Sequence, residues 1–262
     1  MFTRKKLIIF TFIVILVVLP LAVLRSHYVV PILMYHSVSP RATRENRLSV
    51  SAASFERQMR FLKERKYNVV TLEELAALIS EKKKIPPRTI AITLDDGYKD
   101  NYEWAFPALK KYGLPATIFV IVEEIGRPQQ DRLSWEEIKA MQESGLITIG
   151  SHCMGPDPLT KISSVEELKR QIAESRRVLE RELGRKVLAF SYPEGRFTSQ
   201  IRDLVIAAGY KVAVATNPGR NYPDDDVFAL KRLRISHTSD NLFVFWAEIS
   251  GYYTFIKERR RK

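Results

Sequence analysis

The chain has 262 residues, 45% of them hydrophobic and 27% charged, which excludes wholesale disorder and suits one large α/β domain. Its formal net charge is +12, but the first 24 residues hold Arg4, Lys5 and Lys6 with no acid, and the last six hold five bases and one acid. Without these ends the excess falls to +5, so a dedicated nucleic-acid binder is excluded as the leading reading and no nucleic-acid partner is expected.

Residues 1–6 read as a short cytoplasmic N-terminus, and Leu7 to Leu24 is an uncharged run. As a helix that run spans about 27 Å, close to the hydrocarbon thickness of a bilayer. The three bases before it favour an N-terminus left in the cytoplasm. A cleaved signal peptide and a buried core helix are the rivals. The run is longer than the usual apolar stretch of a signal peptide, about 7–15 residues, and ends without a small-x-small pair. The expectation is a single-pass membrane protein, with a barrel domain over 25–240 on the periplasmic or extracellular side. Residues 241–262 then form a closing aromatic helix and a basic tail.

Beyond the anchor, apolar clusters alternate with amphipathic stretches. Pro31 to Tyr35 reads as a strand, Ser54 to Lys66 as a helix opened by a serine cap, and Thr71 with Glu74 as a capping box for a helix to about Lys83. Thr89 to Leu94 is a strand, Asn101 to Tyr112 a helix closed by Gly113, and Ala116 to Val122 a strand. Ser134 with Glu137 caps a helix ended by Gly145, and Leu146 to Gly150 is a strand. Ser164 to Leu183 is the longest helix, stopped by Gly184. Val187 to Ser191, Lys211 to Ala215 and Ala229 to Ile235 complete the strands, with a Ser199–Ala208 helix between the first two. Repeated strand-then-helix order argues for a parallel α/β fold. No Gly-x-Gly-x-x-Gly or Walker-type loop follows a strand, so a closed or nearly closed (β/α) barrel is the better choice. In such a barrel, chemistry sits where strands end.

Three strand ends carry polar residues. Thr93-Leu94-Asp95-Asp96-Gly97 offers two adjacent carboxylates, which burial makes costly unless something positive, such as a bound divalent cation, compensates them; the dipeptide alone also suits a solvated turn. Gly150-Ser151-His152 offers a histidine that could ligate a metal or serve as an ordinary satisfied side chain. Phe190-Ser191-Tyr192-Pro193-Glu194-Gly195-Arg196 is a turn whose backbone N–H groups and Arg196 could meet developing negative charge. Together with Met34-Tyr35-His36, this ordered set resembles the polysaccharide deacetylase family, the metal-dependent carbohydrate esterases with a NodB-type homology domain, over about Val30 to Ile235.

The resemblance implies a distorted (β/α)7 barrel, here preceded by one transmembrane helix, and removal of acetyl groups from an exopolysaccharide, peptidoglycan or chitin-like glycan. It makes Asp95 the catalytic base and Asp96 and His152 metal ligands. A divalent ion is implied, zinc first, with cobalt, nickel and manganese as alternatives. A metal-bound water would lose its proton to Asp95, with the Tyr192 N–H steadying the oxyanion and Tyr192 and Arg196 meeting substrate. The second family histidine should stand four residues after His152, where this chain has Pro156; Asp157 is the nearest substitute ligand. His237, in Ile235-Ser236-His237, resembles the family's general acid, and His36 is a further candidate. Cys153, the single cysteine, reads as a small core residue. Pro156 also motivates an alternative function, a catalytically impaired barrel acting as a membrane-anchored glycan-binding or scaffold protein. The aromatic run Phe243 to Phe255 should pack on the barrel, with a membrane-surface contact or sugar stacking by Trp246 as alternatives.

Overall fold

Short, wholly buried apolar runs bounded by helices build the sheet. The computed structural model describes residues 28–127, 131–216 and 226–253. In chain order the strands are β1 (Ile32–Tyr35), β2 (Ser37–Val38), β3 (Ser49–Val50), β4 (Asn68–Val70), β5 (Thr89–Leu94), β6 (Ala116–Val120), β7 (Ile147–Ser151), β8 (Ala189–Ser191), β9 (Val212–Ala215), β10 (Leu230–Lys231) and β11 (Leu233–Arg234). Every pairing between these strands is parallel, running β10-β9-β8-β7-β6-β5-β1-β11. Arg232 alone separates β10 from β11, and its N–H still donates to Ala215 (3.1 Å). The final strand therefore leaves β9 at Arg232 and joins β1, giving a nearly closed parallel α/β barrel. Two additions flank it: β4 pairs with the first half of β5, and β2 with β3.

Side chains alternate across each strand. Ile32, Ala91, Phe119, Ala189, Val212, Val214 and Leu230 pack together inside the barrel, and Leu72, Leu75 and Ala76 close its N-terminal end. The other face, including Leu33, Tyr35, Ile90, Ile92, Leu94 and Ile118, packs against the helices. Stepping two residues on along the inner face of β5, β8 and the last strand leads from Ala91 to Thr93 and Asp95, from Ala189 to Ser191, and from Leu230 to Arg232. The interior thus turns from apolar to polar toward the C-terminal ends of the strands.

Local signals fix most helices. The capping boxes of Leu72–Ser80 and Trp135–Glu143 are both formed. Gly113 and Gly184 end their helices with left-handed backbone (φ 63° in each). Several readings change. Ser51, not Ser54, caps the first described helix, Ala52–Glu64. The long helix after Ser164 keeps its extent but carries a π turn at Arg170–Glu174. The strand expected over 229–235 is broken at Arg232, and β2, β3 and β4 are too short to leave a periodic pattern. In the helix Leu242–Glu248, Phe245 packs in the core, whereas Phe243 and Trp246 are exposed, so this aromatic run is only partly packed on the barrel. No helix among the described residues is long and apolar enough to cross a membrane; the expected anchor, Leu7–Leu24, and the basic tail lie outside those residues.

Candidate active site

The polar end of the barrel interior opens into a cavity of about 480 Å³ lined by residues that include His36, Asp95, Asp96, Arg132, His152 and Pro156. Asp95 follows β5, its N–H donating to the Tyr35 carbonyl (2.9 Å). Asp96 (φ 71°) and Gly97 (φ 61°) then reverse the chain in left-handed backbone, and a Cβ on Gly97 would stand 3.0 Å from Val120 Cγ1. That conformation costs a non-glycine residue about 1–3 kcal/mol, which Asp96 bears while facing the cavity.

Arg232 is the counterion of the site. Its Nη1 and Nη2 donate to the two oxygens of Asp95, each at 2.6 Å, in the bidentate arrangement guanidinium favours. Nη1 also reaches Thr93 Oγ1 (3.2 Å), Nη2 reaches Ser191 Oγ (3.0 Å), and the Ser191 hydroxyl lies 3.4 Å from Asp95 Oδ2. Phe119 sits 5.7 Å from the guanidinium carbon, in space that Gly150 opens; a Cβ there would fall 2.4 Å from the ring. Burial pushes the Asp95 carboxyl up, but Arg232 and His152 outweigh it and hold the pKa at about 2.

His152 follows β7. Its Nδ1–H donates to the Ser191 carbonyl (2.8 Å), which leaves Nε2 facing Asp96 Oδ1 at 3.4 Å and Asp95 Oδ2 at 3.9 Å. Burial lowers the imidazole pKa, yet the Asp96 hydrogen bond and both carboxylates prevail and raise it; Asp96 is correspondingly lowered against its own burial. Across the cavity, Asn101 Nδ2 donates to the His36 carbonyl (2.8 Å), and Asp100 accepts from the Val38 N–H (3.0 Å) and the Ser37 hydroxyl (2.5 Å). These bonds pin the loop after β1. Burial lowers the His36 pKa despite nearby Asp95 and Asp96, and its buried Nδ1 has no hydrogen-bond partner among the described residues.

The structure brings Asp95, Asp96, His152 and Tyr192 together, but not every expected residue. Asp157 is exposed and does not line the cavity; Pro156, without a donor atom, lines it instead. Tyr192 is buried with its ring stacked on Phe197 and its hydroxyl donating to Phe228 (3.0 Å). Its N–H donates to Val214 (3.1 Å), so the sheet uses the group expected to meet the oxyanion. Arg196 does line the cavity, at its exposed rim, 3.4 Å from Glu194. His237 does not line the cavity and stands at a short 3₁₀ turn beyond β11. Cys153 is buried in the core. Its left-handed backbone (φ 72°), rather than strand alternation, sets its direction. Sequence reasoning missed Arg232, Arg132 and Ser191 Oγ. Arg232 left a trace, since period-two alternation in Leu230-Lys231-Arg232-Leu233 aims it inward beside Leu230. Arg132 lies over Tyr98 (4.1 Å) and pairs with Glu124 (2.6 Å), contacts with no local pattern.

Among the described residues no group of three or more His, Cys, Asp or Glu side chains gathers to hold a metal ion. The donor chemistry nonetheless suits a cation at two points: the Asp96 carboxylate, and an imidazole whose Nδ1–H is fixed on a carbonyl so that its neutral form turns the Nε2 lone pair toward that carboxylate.

Known proteins resemble this chain in sequence and fold. Residues 82–213 match the family model described as polysaccharide deacetylase. YxkH of Bacillus subtilis (strain 168), named for the polysaccharide deacetylases, is 35% identical over 79% of this chain and 71% of its own. A Staphylococcus aureus (strain MRSA252) poly-beta-1,6-N-acetyl-D-glucosamine N-deacetylase is 28% identical over 72% of this chain and 68% of its own. Among solved structures, IcaB from Ammonifex degensii superposes with a TM-score of 0.73 at 28% identity, covering 84% of this chain and 97% of that one. Streptococcus pyogenes deacetylase PplD in complex with acetate gives 0.72 at 26% identity, covering 79% and 92%. The polar barrel mouth, the motif order and these matches place the chain in the polysaccharide deacetylase family.

Proposed function

We propose that this chain removes acetyl groups from an N-acetylated, glucosamine-type polysaccharide outside the cytoplasm, tethered to the membrane by Leu7–Leu24. The observation that carries the reading is Asp95, locked to Arg232 by two hydrogen bonds beside the facing Asp96–His152 pair. Arg232 keeps Asp95 ionised and aimed, ready to take a proton from the water that attacks the acetamide carbonyl. Asp96 and His152 are the residues that would hold a divalent cation, zinc first. Such a cation supplies acidification of a water and polarisation of a carbonyl. His36, neutral near pH 7, faces the same space and can hydrogen-bond the sugar or the leaving amine.

The test is acetate and free-amine release from poly-β-1,6-N-acetylglucosamine, with and without added zinc. Release abolished in Asp95→Asn supports the reading; undiminished release in that variant overturns it. Pro156 favours a second reading, a glycan-binding barrel with little turnover. Saturable glycan binding without acetate release under any metal condition would establish that one instead.

A further inference from the structure

A second cavity, of about 1230 Å³, lies at the opposite, N-terminal end of the barrel strands. Its floor is apolar, built from Ile32, Leu75, Ile79, Ile85 and Leu230. Its rim is basic. Lys82, Lys83, Lys84 and Arg88 are exposed along one loop, Lys231 joins them from β10, and Glu81 is the single acid in the stretch 81–88. An apolar floor beneath a cationic rim suits a ligand with an anionic head and a hydrocarbon body.

The course of the chain says which ligand that is. Tyr28 and Tyr252 both line this cavity, their rings packed edge to face at 5.6 Å, and the Val29 N–H donates to Gly251 (2.9 Å). Leu24, the last residue of the apolar run, is four residues before Tyr28, a reach of at most about 14 Å. A bilayer holding that run therefore lies close to this end of the barrel, near the Debye length of about 10 Å at 0.1 M salt. The strongly basic stretch Lys257–Lys262 follows Tyr252 by only a few residues.

Resting on the membrane-tether reading above, we infer that this cavity docks anionic phospholipid of the membrane that carries the chain, with headgroup phosphates among the rim bases and the upper acyl chains on the apolar floor. The barrel then sits with its N-terminal end on the bilayer and the cavity beside Asp95 and Asp96 opening away from it, toward polymer.

The full chain reconstituted in nanodiscs of phosphatidylglycerol alone, or of phosphatidylcholine alone, tests this by hydrogen exchange. Amides of Lys82–Ile85 and Arg88 should exchange about tenfold more slowly in the anionic discs. The slowing should vanish when Lys82, Lys83 and Lys84 are each replaced by Glu, while acetate release from a soluble oligosaccharide stays unchanged. Equal exchange in the two lipids overturns the inference, as does slowing that survives the triple replacement; protection in both lipids would mean that a segment of the chain itself fills the cavity. A chain that elutes apart from discs of either lipid refutes the tether as well, which separates that failure from failure of the docking site.

Discussion

The two ends of this barrel treat charge in opposite ways. At the C-terminal end, Asp95 and Arg232 are buried together and joined by two short hydrogen bonds. At the N-terminal end, Lys82, Lys84 and Arg88 stay at the surface around an apolar floor. A buried charge costs several kcal/mol unless paired, whereas a hydrated lysine costs little and acts at long range. The first arrangement suits bond-making at fixed atoms; the second suits a broad anionic surface that needs no register.

That contrast can be broken by substitution, and the largest effect belongs to Asp95→Asn. The side chain keeps its shape but cannot take a proton, so acetate release should fall by about 10²–10⁴, read as turnover at saturating glycan. Arg232→Met comes next, leaving a buried carboxylate without its counterion. Unfolding by urea should show a loss of about 3–5 kcal/mol at pH 7. The same variant carries a pH signature. Asp95 is held at about 2 in the folded chain, below its unfolded value. It therefore contributes stability that is full above roughly pH 4 and is lost as pH falls through about 2. That acid-side loss should shrink in Arg232→Met, and an unchanged pH profile would refute the pairing.

Smaller effects sharpen the comparison. With Asp96 and His152 as its donors among the described residues, a divalent ion should bind weakly enough to be removed by dialysis. Pro156→His should tighten zinc binding about tenfold or more, measured by calorimetry on the purified chain. No change would place the histidine outside reach of Asp96 and His152. At the other end, Lys83→Ala should alter stability by less than about 0.5 kcal/mol, since its partner Glu81 is also exposed. A larger loss in thermal unfolding would mean that the rim is structural.

Much of the fold was legible because its cues are local. Capping boxes at Thr71 and Ser134, and glycines at 113 and 184, act within one helical turn. The carboxylate and imidazole part of the site was legible for the same reason, as Asp95 with Asp96, and His152, directly follow apolar strands. The basic half was not. Arg232 finds Asp95 across 137 residues of chain, and only ring closure reveals that they meet. Asp157 misled for the converse reason: proximity in sequence to Pro156 did not bring it into the cavity, because the loop turns it to solvent. The Tyr192 N–H misled because the sheet had already claimed it.

The broken last strand has a consequence for synthesis. β11 joins β1 through Leu33 and Leu233, so the barrel's seam is drawn between residues at nearly opposite ends of the domain. Contacts of such long range form slowly, after the loop-closure cost has been met. The strand that draws the seam also delivers Arg232. A nascent chain emerging from the ribosome thus holds Asp95, Asp96 and His152 well before it holds their counterion. Hydrolytic competence arrives last, with closure, and an abandoned translation product ending before Arg232 should be inert toward every glycan it meets.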